Sequence, residues 1–212
     1  SFATMAQDGP AETEKLPISI ITGFLGAGKT TLLNRILTEK HGVRFAVIVN
    51  EFGKEGIDND LIIGADEEIF EMNNGCICCT VRGDLVRLLG KILRRKRKLD
   101  GIIIETTGLA DPAPVAQTFF MDQSIKERAR LDAIITMVDA FHILPRLKEE
   151  KPEGVENESV EQVAFADKLL LNKIDLVSEE QLNIVEEELR KINSLAPILR
   201  CQNAEVNVSE VI

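Results

Sequence analysis

No apolar run in these 212 residues approaches the roughly 18 needed to span a bilayer. A membrane role is therefore not expected, and a soluble chain is. Positive charge is scarce too: 25 Lys and Arg stand against 35 Asp and Glu, a formal net charge of −10, which argues against nonspecific binding of nucleic acid. The opening stretch "SFATMAQDGPAETEKLP" lacks the apolar segment of a secretory signal. It reads as a disordered lead-in over 1–15, and the compartment expected is reducing, either cytoplasm or an organellar matrix. Cysteine is sparse, four residues in all. A domain of this size buries about 70% of its unfolded surface and needs no disulfide to fold. Only two histidines occur, His41 and His142, and no internal repeat is visible.

What is present alternates. "PISIIT" (17–22), "RFAVIVN" (44–50), "GIIIE" (101–105), "DAIITMV" (132–138) and "KLLLN" (168–172) are short apolar runs rich in Ile and Val. Continuous rather than alternating apolar character predicts strands buried on both faces of a parallel sheet. Helical spacing appears between them, in "TTLLNRILTEK", "DLVRLLGKILRRK" and "SEEQLNIVEEELRKI", the last opening on Ser178 as an N-cap. The expected fold is α/β, a doubly wound, mostly parallel sheet flanked by helices, with ligands at the carboxyl ends of the strands. The acidic segment 147–162 reads as an exposed connection ahead of a short helix. "RRKRK" (94–98) invites a nucleic-acid or nuclear-signal reading, but also suits the last turn of a helix, where cations complement the dipole.

The first strand runs into "GFLGAGKTT". Gly23, Gly28, Lys29 and Thr30 satisfy G-x-x-x-x-G-K-[ST] between a strand and a helix, the context a P-loop requires. Backbone N–H groups of Gly26, Ala27, Gly28, Lys29, Thr30 and Thr31 would surround phosphate oxygens at the helix N-terminus. Lys29 would reach the β- and γ-phosphates, and the Thr30 hydroxyl would bind Mg²⁺. Asn172-Lys173-x-Asp175 at the end of the last predicted strand matches the guanine-reading N-K-x-D of GTPases. A carboxylate at Asp175 can accept both N1–H and the N2 amine of guanine, whereas adenine would leave it buried and unpaired. "APILRCQNA" stands where GTPases place a second base loop but matches it poorly. Where most GTPases carry D-x-x-G, this chain has Glu105-Thr-Thr-Gly108; glutamate is one methylene longer and still a hard oxygen ligand for Mg²⁺. No glutamine follows Gly108 to position water, so slow intrinsic hydrolysis is expected.

"NNGCICCTVRGD" (73–84) holds three of the four cysteines. Adjacent Cys78 and Cys79 cannot pair without strain. Clustered thiols in a reducing compartment suit a soft metal, Zn²⁺ or Cu⁺, with Co²⁺ and Ni²⁺ less favoured. Buried core cysteines and a redox pair remain alternatives.

"GFLGAGKTTLL", "VNEFGKEGIDNDL", "NNGCICCTVRGDL", "IIIETTGLADPAP", "VEQVAFAD" and "LLLNKIDLV", in this order, closely resemble the CobW-like metallochaperone GTPases. The resemblance runs from about Leu16 to about Leu199. It implies a P-loop, SIMIBI-type GTPase domain over 16–212, without the second C-terminal domain that family members usually carry. It further implies GTP and Mg²⁺ as ligands and a transition-metal cargo, most often zinc, sometimes cobalt. Cys76, Cys78 and Cys79 become the metal-binding thiols, with Glu51 an additional ligand and Asp58 near the Mg²⁺ side. The segment "NEFGKEGID" becomes a nucleotide-responsive switch. A client metalloprotein and a homodimer belong to the same expectation; nucleic acid and membrane do not.

Overall fold

A computed structural model of the protein describes residues 15–39, 42–50, 68–72, 80–94, 99–108 and 111–211. Seven strands are described: β1 (Leu16–Thr22), β2 (Phe45–Asn50), β3 (Glu68–Met72), β4 (Gly101–Glu105), β5 (Ala129–Asp139), β6 (Lys168–Asn172) and β7 (Ile198–Arg200). They form one sheet in the order β3-β2-β4-β1-β5-β6-β7, and every pairing is parallel. All strands therefore present their carboxyl ends along one edge, where an α/β sheet holds its ligands.

Side-chain parity sorts the core into two layers. Ile18, Ile20, Ala46, Ile48, Ile102 and Ile104 pack on one face against α2 (Thr80–Ile92), α3 (Ala113–Met121) and α4 (Gln123–Lys126). Further along that face, Val138, Leu169 and Leu171 meet α5 (Ile143–Leu147), α6 (Glu158–Ala164) and α7 (Glu179–Ile192). Ile21, Val47, Ile103, Ile135 and Leu170 face the opposite layer, built from α1 (Lys29–Thr38) and α8 (Val208–Val211). Neighbouring positions on one strand thus serve opposite cores, which is why the apolar runs do not alternate.

The predicted strands are all present; 101–105 and 168–172 keep their predicted ends, and the other three shift. β5 begins three residues before its apolar run, because Leu16 to Ile18 of β1 pair with Ala129 to Leu131 ahead of a bulge. Ser178 caps α7 in a reciprocal capping box with Gln181, and Asn157 caps α6 through the backbone N–H groups of Ser159 and Val160. The basic run 94–98 is corrected. α2 ends at Ile92 with Lys91 in its last turn, so Arg94, the first residue of that run, lies past the helix instead of closing it; residues 95–98 lie outside the described residues. Among the described residues, no helix is long and apolar enough to cross a membrane.

Candidate functional site

The loop between β1 and α1 is shaped by glycines that nothing else could replace. Gly23 has φ +132°, and an added Cβ would collide with the carbonyl of Met137 on β5. Gly28 has φ +110°, and its Cβ would run into the Asn172 amide. Both positions combine a left-handed backbone with a close approach, so a side chain is refused twice. Gly28 is also the N-cap of α1, and Leu32 N–H closes the first turn on its carbonyl at 3.0 Å. The positive end of a ten-residue helix therefore opens into the loop.

Lys29 is only 7% exposed. Its Nζ donates to the carbonyls of Gly23 (2.7 Å) and Phe24 (3.2 Å), so the ammonium lies along the loop whose curvature it braces. Burial pushes its pKa down, and the charge of Glu105 opposes that. Burial likewise pushes the Glu105 carboxyl up, against Lys29 and a hydrogen bond from Thr30. Thr30 Oγ1 donates to Glu105 Oε1 at 3.4 Å. Two hard oxygen donors thus sit together at the helix N-terminus, a set suited to one divalent cation.

Beyond Glu105 the chain is pinned to the loop. Thr106 N–H donates to Ile21 O at 3.0 Å, and its hydroxyl donates to Thr22 Oγ1 at 2.8 Å. Gly108 lies against Leu25 so closely that a Cβ would stand 2.5 Å from the Leu25 nitrogen.

At the other end, Asn172 is buried where β6 finishes. Its Nδ2 donates to Ala27 O at 2.9 Å, and its Oδ1 accepts from Ala204 N at 3.0 Å. Lys173 is left-handed, φ 62°, and its Nζ reaches Asp139 Oδ2 at 2.8 Å. Asp175 is exposed in the 3-10 turn Ile174–Leu176. The segment that matched a base loop poorly is nonetheless beside Asn172: Ile174 N–H bonds Cys201 O, and Asn203 and Ala204 are both left-handed. The structure therefore gathers Gly23, Gly26, Ala27, Gly28, Lys29, Thr30, Thr31, Glu105, Gly108, Asn172, Lys173 and Asp175 along one sheet edge. Cys76, Cys78, Cys79, Glu51 and Asp58 lie outside the described residues.

Two residues of this region were not anticipated. Asp139 closes β5 and receives Lys173, with His142 Nδ1 3.0 Å away. Burial pushes its carboxyl up, but the hydrogen bonds from Lys173 and His142 outweigh that and hold it below its ordinary value. Gln162 of α6 reaches Gly108. A cavity of about 190 Å³ beside the loop is lined by Phe24, Asp139, Arg146, Gln162 and Lys173, with the Arg146 guanidinium 4.2 Å over the Phe24 ring. A strand-ending Asp and a helical Gln carry no spacing signal of their own.

Parallel sheet, glycine-shaped loop and buried lysine define a P-loop nucleotide-binding protein. Residues 17–200 match the family described as CobW/HypB/UreG, nucleotide-binding domain. The chain belongs to that family. It is 41% identical over 213 residues to the zinc-regulated GTPase metalloprotein activator 1 of Schizosaccharomyces pombe, covering 97% of this chain and 50% of that protein. It is 38% identical over 197 residues to the zinc chaperone YjiA of Escherichia coli, covering 91% of this chain and 59% of that protein. The crystal structure of Zn(II)-bound YjiA GTPase from E. coli superposes with a TM-score of 0.71 at 32% identity, over 93% of this chain and 61% of that one. The chain thus spans about half the length of the first of these relatives.

Proposed function

We propose that this chain is the GTP-binding and GTP-hydrolysing part of a metallochaperone that couples nucleotide state to holding and handing over a transition metal, zinc foremost. The observation that carries the reading is a register. Val49 pairs with Glu105, and Asn50 pairs with Met72. β2 and β3 therefore end, one residue before Glu51 and four before Cys76, at the edge where Glu105 meets Thr30. The names of the relatives, which include zinc chaperones and zinc-regulated GTPases, support the same reading.

In this reading Lys29 exchanges its loop carbonyls for the β- and γ-phosphates, and backbone N–H groups of residues 26–31 hold the phosphate oxygens. Thr30 and Glu105 would hold Mg²⁺, with Asp58 assigned to the same side. Bound there, the ion supplies neutralisation of charge on the phosphates. The Gly108 N–H faces the terminal phosphate. Asp175 accepts from guanine, and the Lys173 stem covers the base. Cys76, Cys78 and Cys79, with Glu51, take the cargo as thiolates, in a reducing compartment such as cytoplasm or an organellar matrix, for transfer to a client metalloprotein. A homodimer belongs to the same proposal.

The test is a Zn²⁺ competition titration of the reduced chain against a chromophoric chelator, nucleotide-free, with Mg-GDP and with a non-hydrolysable Mg-GTP analogue. Affinities differing tenfold or more between states, about 1.4 kcal/mol of coupling, are expected. Linkage then demands the same factor in nucleotide affinity when metal is varied. Equal tight binding in every state would mean a structural zinc site. No binding in any state would favour oxidation chemistry at the thiols.

A further inference from the structure

Gln162 stands where an apolar residue would be expected. It lies on α6, is 1% exposed, and its neighbour Val163 belongs to the core under α7. A buried amide is costly unless its groups are bonded, and a leucine of similar size would avoid that cost altogether. Gln162 Nε2 instead donates to the carbonyl of Gly108 at 3.2 Å, across 54 positions of sequence. The backbone of Gln162 is fixed in turn, since its carbonyl accepts from Thr136 Oγ1 on β5 at 2.7 Å.

The segment it reaches is held at three points. Thr106 is bonded to β1 through its N–H and its hydroxyl. The Gly108 Cα rests on the Leu25 backbone. Gln162 holds the Gly108 carbonyl. The Gly108 N–H, the donor assigned to the terminal phosphate, lies in the peptide that joins Thr107 to Gly108; with Thr106 anchored before it and the Gly108 Cα and carbonyl anchored after it, that peptide has limited room to turn.

We propose that Gln162 is a positioning residue for the nucleotide switch: by holding the Gly108 carbonyl from α6, it keeps the Gly108 N–H aimed at the γ-phosphate. It thereby favours the triphosphate over the diphosphate and speeds hydrolysis. This rests on the GTPase reading above. The consequence is selective, because GDP lacks the group that the Gly108 N–H meets. Losing Gln162 weakens one nucleotide and spares the other.

The experiment is Gln162→Met in the full chain, measured beside the unaltered protein. Affinities for a fluorescent GDP and a fluorescent non-hydrolysable GTP analogue are determined, together with kcat and KM for GTP and the melting temperature. The expected result is GDP affinity within about twofold of the unaltered chain, with analogue affinity and kcat each lowered about five- to tenfold, the size of one lost hydrogen bond. An unchanged ratio of analogue to GDP affinity with unchanged kcat overturns the proposal. So do equal losses for both nucleotides accompanied by a lowered melting temperature, which would make Gln162 a packing residue only. If Gln162→Met does not fold, Gln162→Asn, which keeps the amide but shortens its reach, is judged by the same criteria. If the unaltered chain neither binds nor hydrolyses GTP, the functional reading fails first and the role of Gln162 falls with it.

Discussion

Asn172 spans the site: its Nδ2 donates to Ala27 in the phosphate loop, and its Oδ1 accepts from Ala204 after β7. One side chain at the end of β6 therefore joins the loop expected at the phosphates to the loop expected at the base. Asn172→Ala leaves a buried carbonyl and a buried N–H without this partner. It is expected to cost about 2–6 kcal/mol of folding stability, since each of the two orphaned buried groups carries about 1–3 kcal/mol. Urea unfolding measures the loss, and a change below about 0.5 kcal/mol would contradict the bracing role.

Asp175→Asn should exchange guanine for xanthine. The amide can donate where the carboxylate only accepts, so it meets the carbonyl that xanthine carries in place of the guanine amine. Competition of GTP and XTP against a fluorescent guanine nucleotide checks this. Retained preference for GTP would refute the assignment of Asp175 to the base.

Asp139→Asn should loosen Lys173, whose ammonium it holds at 2.8 Å. Weaker binding of GTP and GDP alike is expected, because the proposed reading lays the Lys173 stem over the base in both. The pH dependence has a definite sign. The folded-state pKa of Asp139 lies below the ordinary 3.8, so its contribution to stability is present above 3.8 and lost as pH falls through the folded value. The stability difference between the unaltered chain and Asp139→Asn should be constant near neutrality and shrink only below 3.8. Denaturation curves recorded from pH 7 to pH 2.5 test it; a difference that grows on acidification would reverse the assignment.

Cys201 should be silent toward alkylation. Its thiol is 3% exposed, lies 3.6 Å from Asn172 Oδ1, and is pushed up to about 11 by burial, so little thiolate forms at neutral pH. Iodoacetamide at pH 7.5 should leave Cys201 unmodified in the folded chain and label it after unfolding, as read by peptide mass spectrometry. Rapid labelling of the native protein would show that this loop opens.

Much of the architecture was legible because parallel strands buried on both faces need unbroken apolar runs, and this chain has five that can be read directly. β7 was not legible: three residues after Pro197 are too few for any periodicity to emerge. The helix α3 was obscured by Pro112 and Pro114, which sit at its start where proline is tolerated. The phosphate loop could be read residue by residue, since Gly, Lys and Thr at fixed offsets do local chemistry on one short segment.

The sequence by itself determined the P-loop, the N-K-x-D segment, the thiol cluster and the parallel α/β class. In each, the residues that matter are neighbours along the chain or repeat at the period of one element. Only the tertiary structure decided that Asn172 braces Ala27, that Asp139 holds Lys173 and that Gln162 reaches Gly108. Those pairs are 145, 34 and 54 positions apart. They meet because parallel strands bring their carboxyl ends to one edge, and no local pattern records which side chains a sheet order will place face to face.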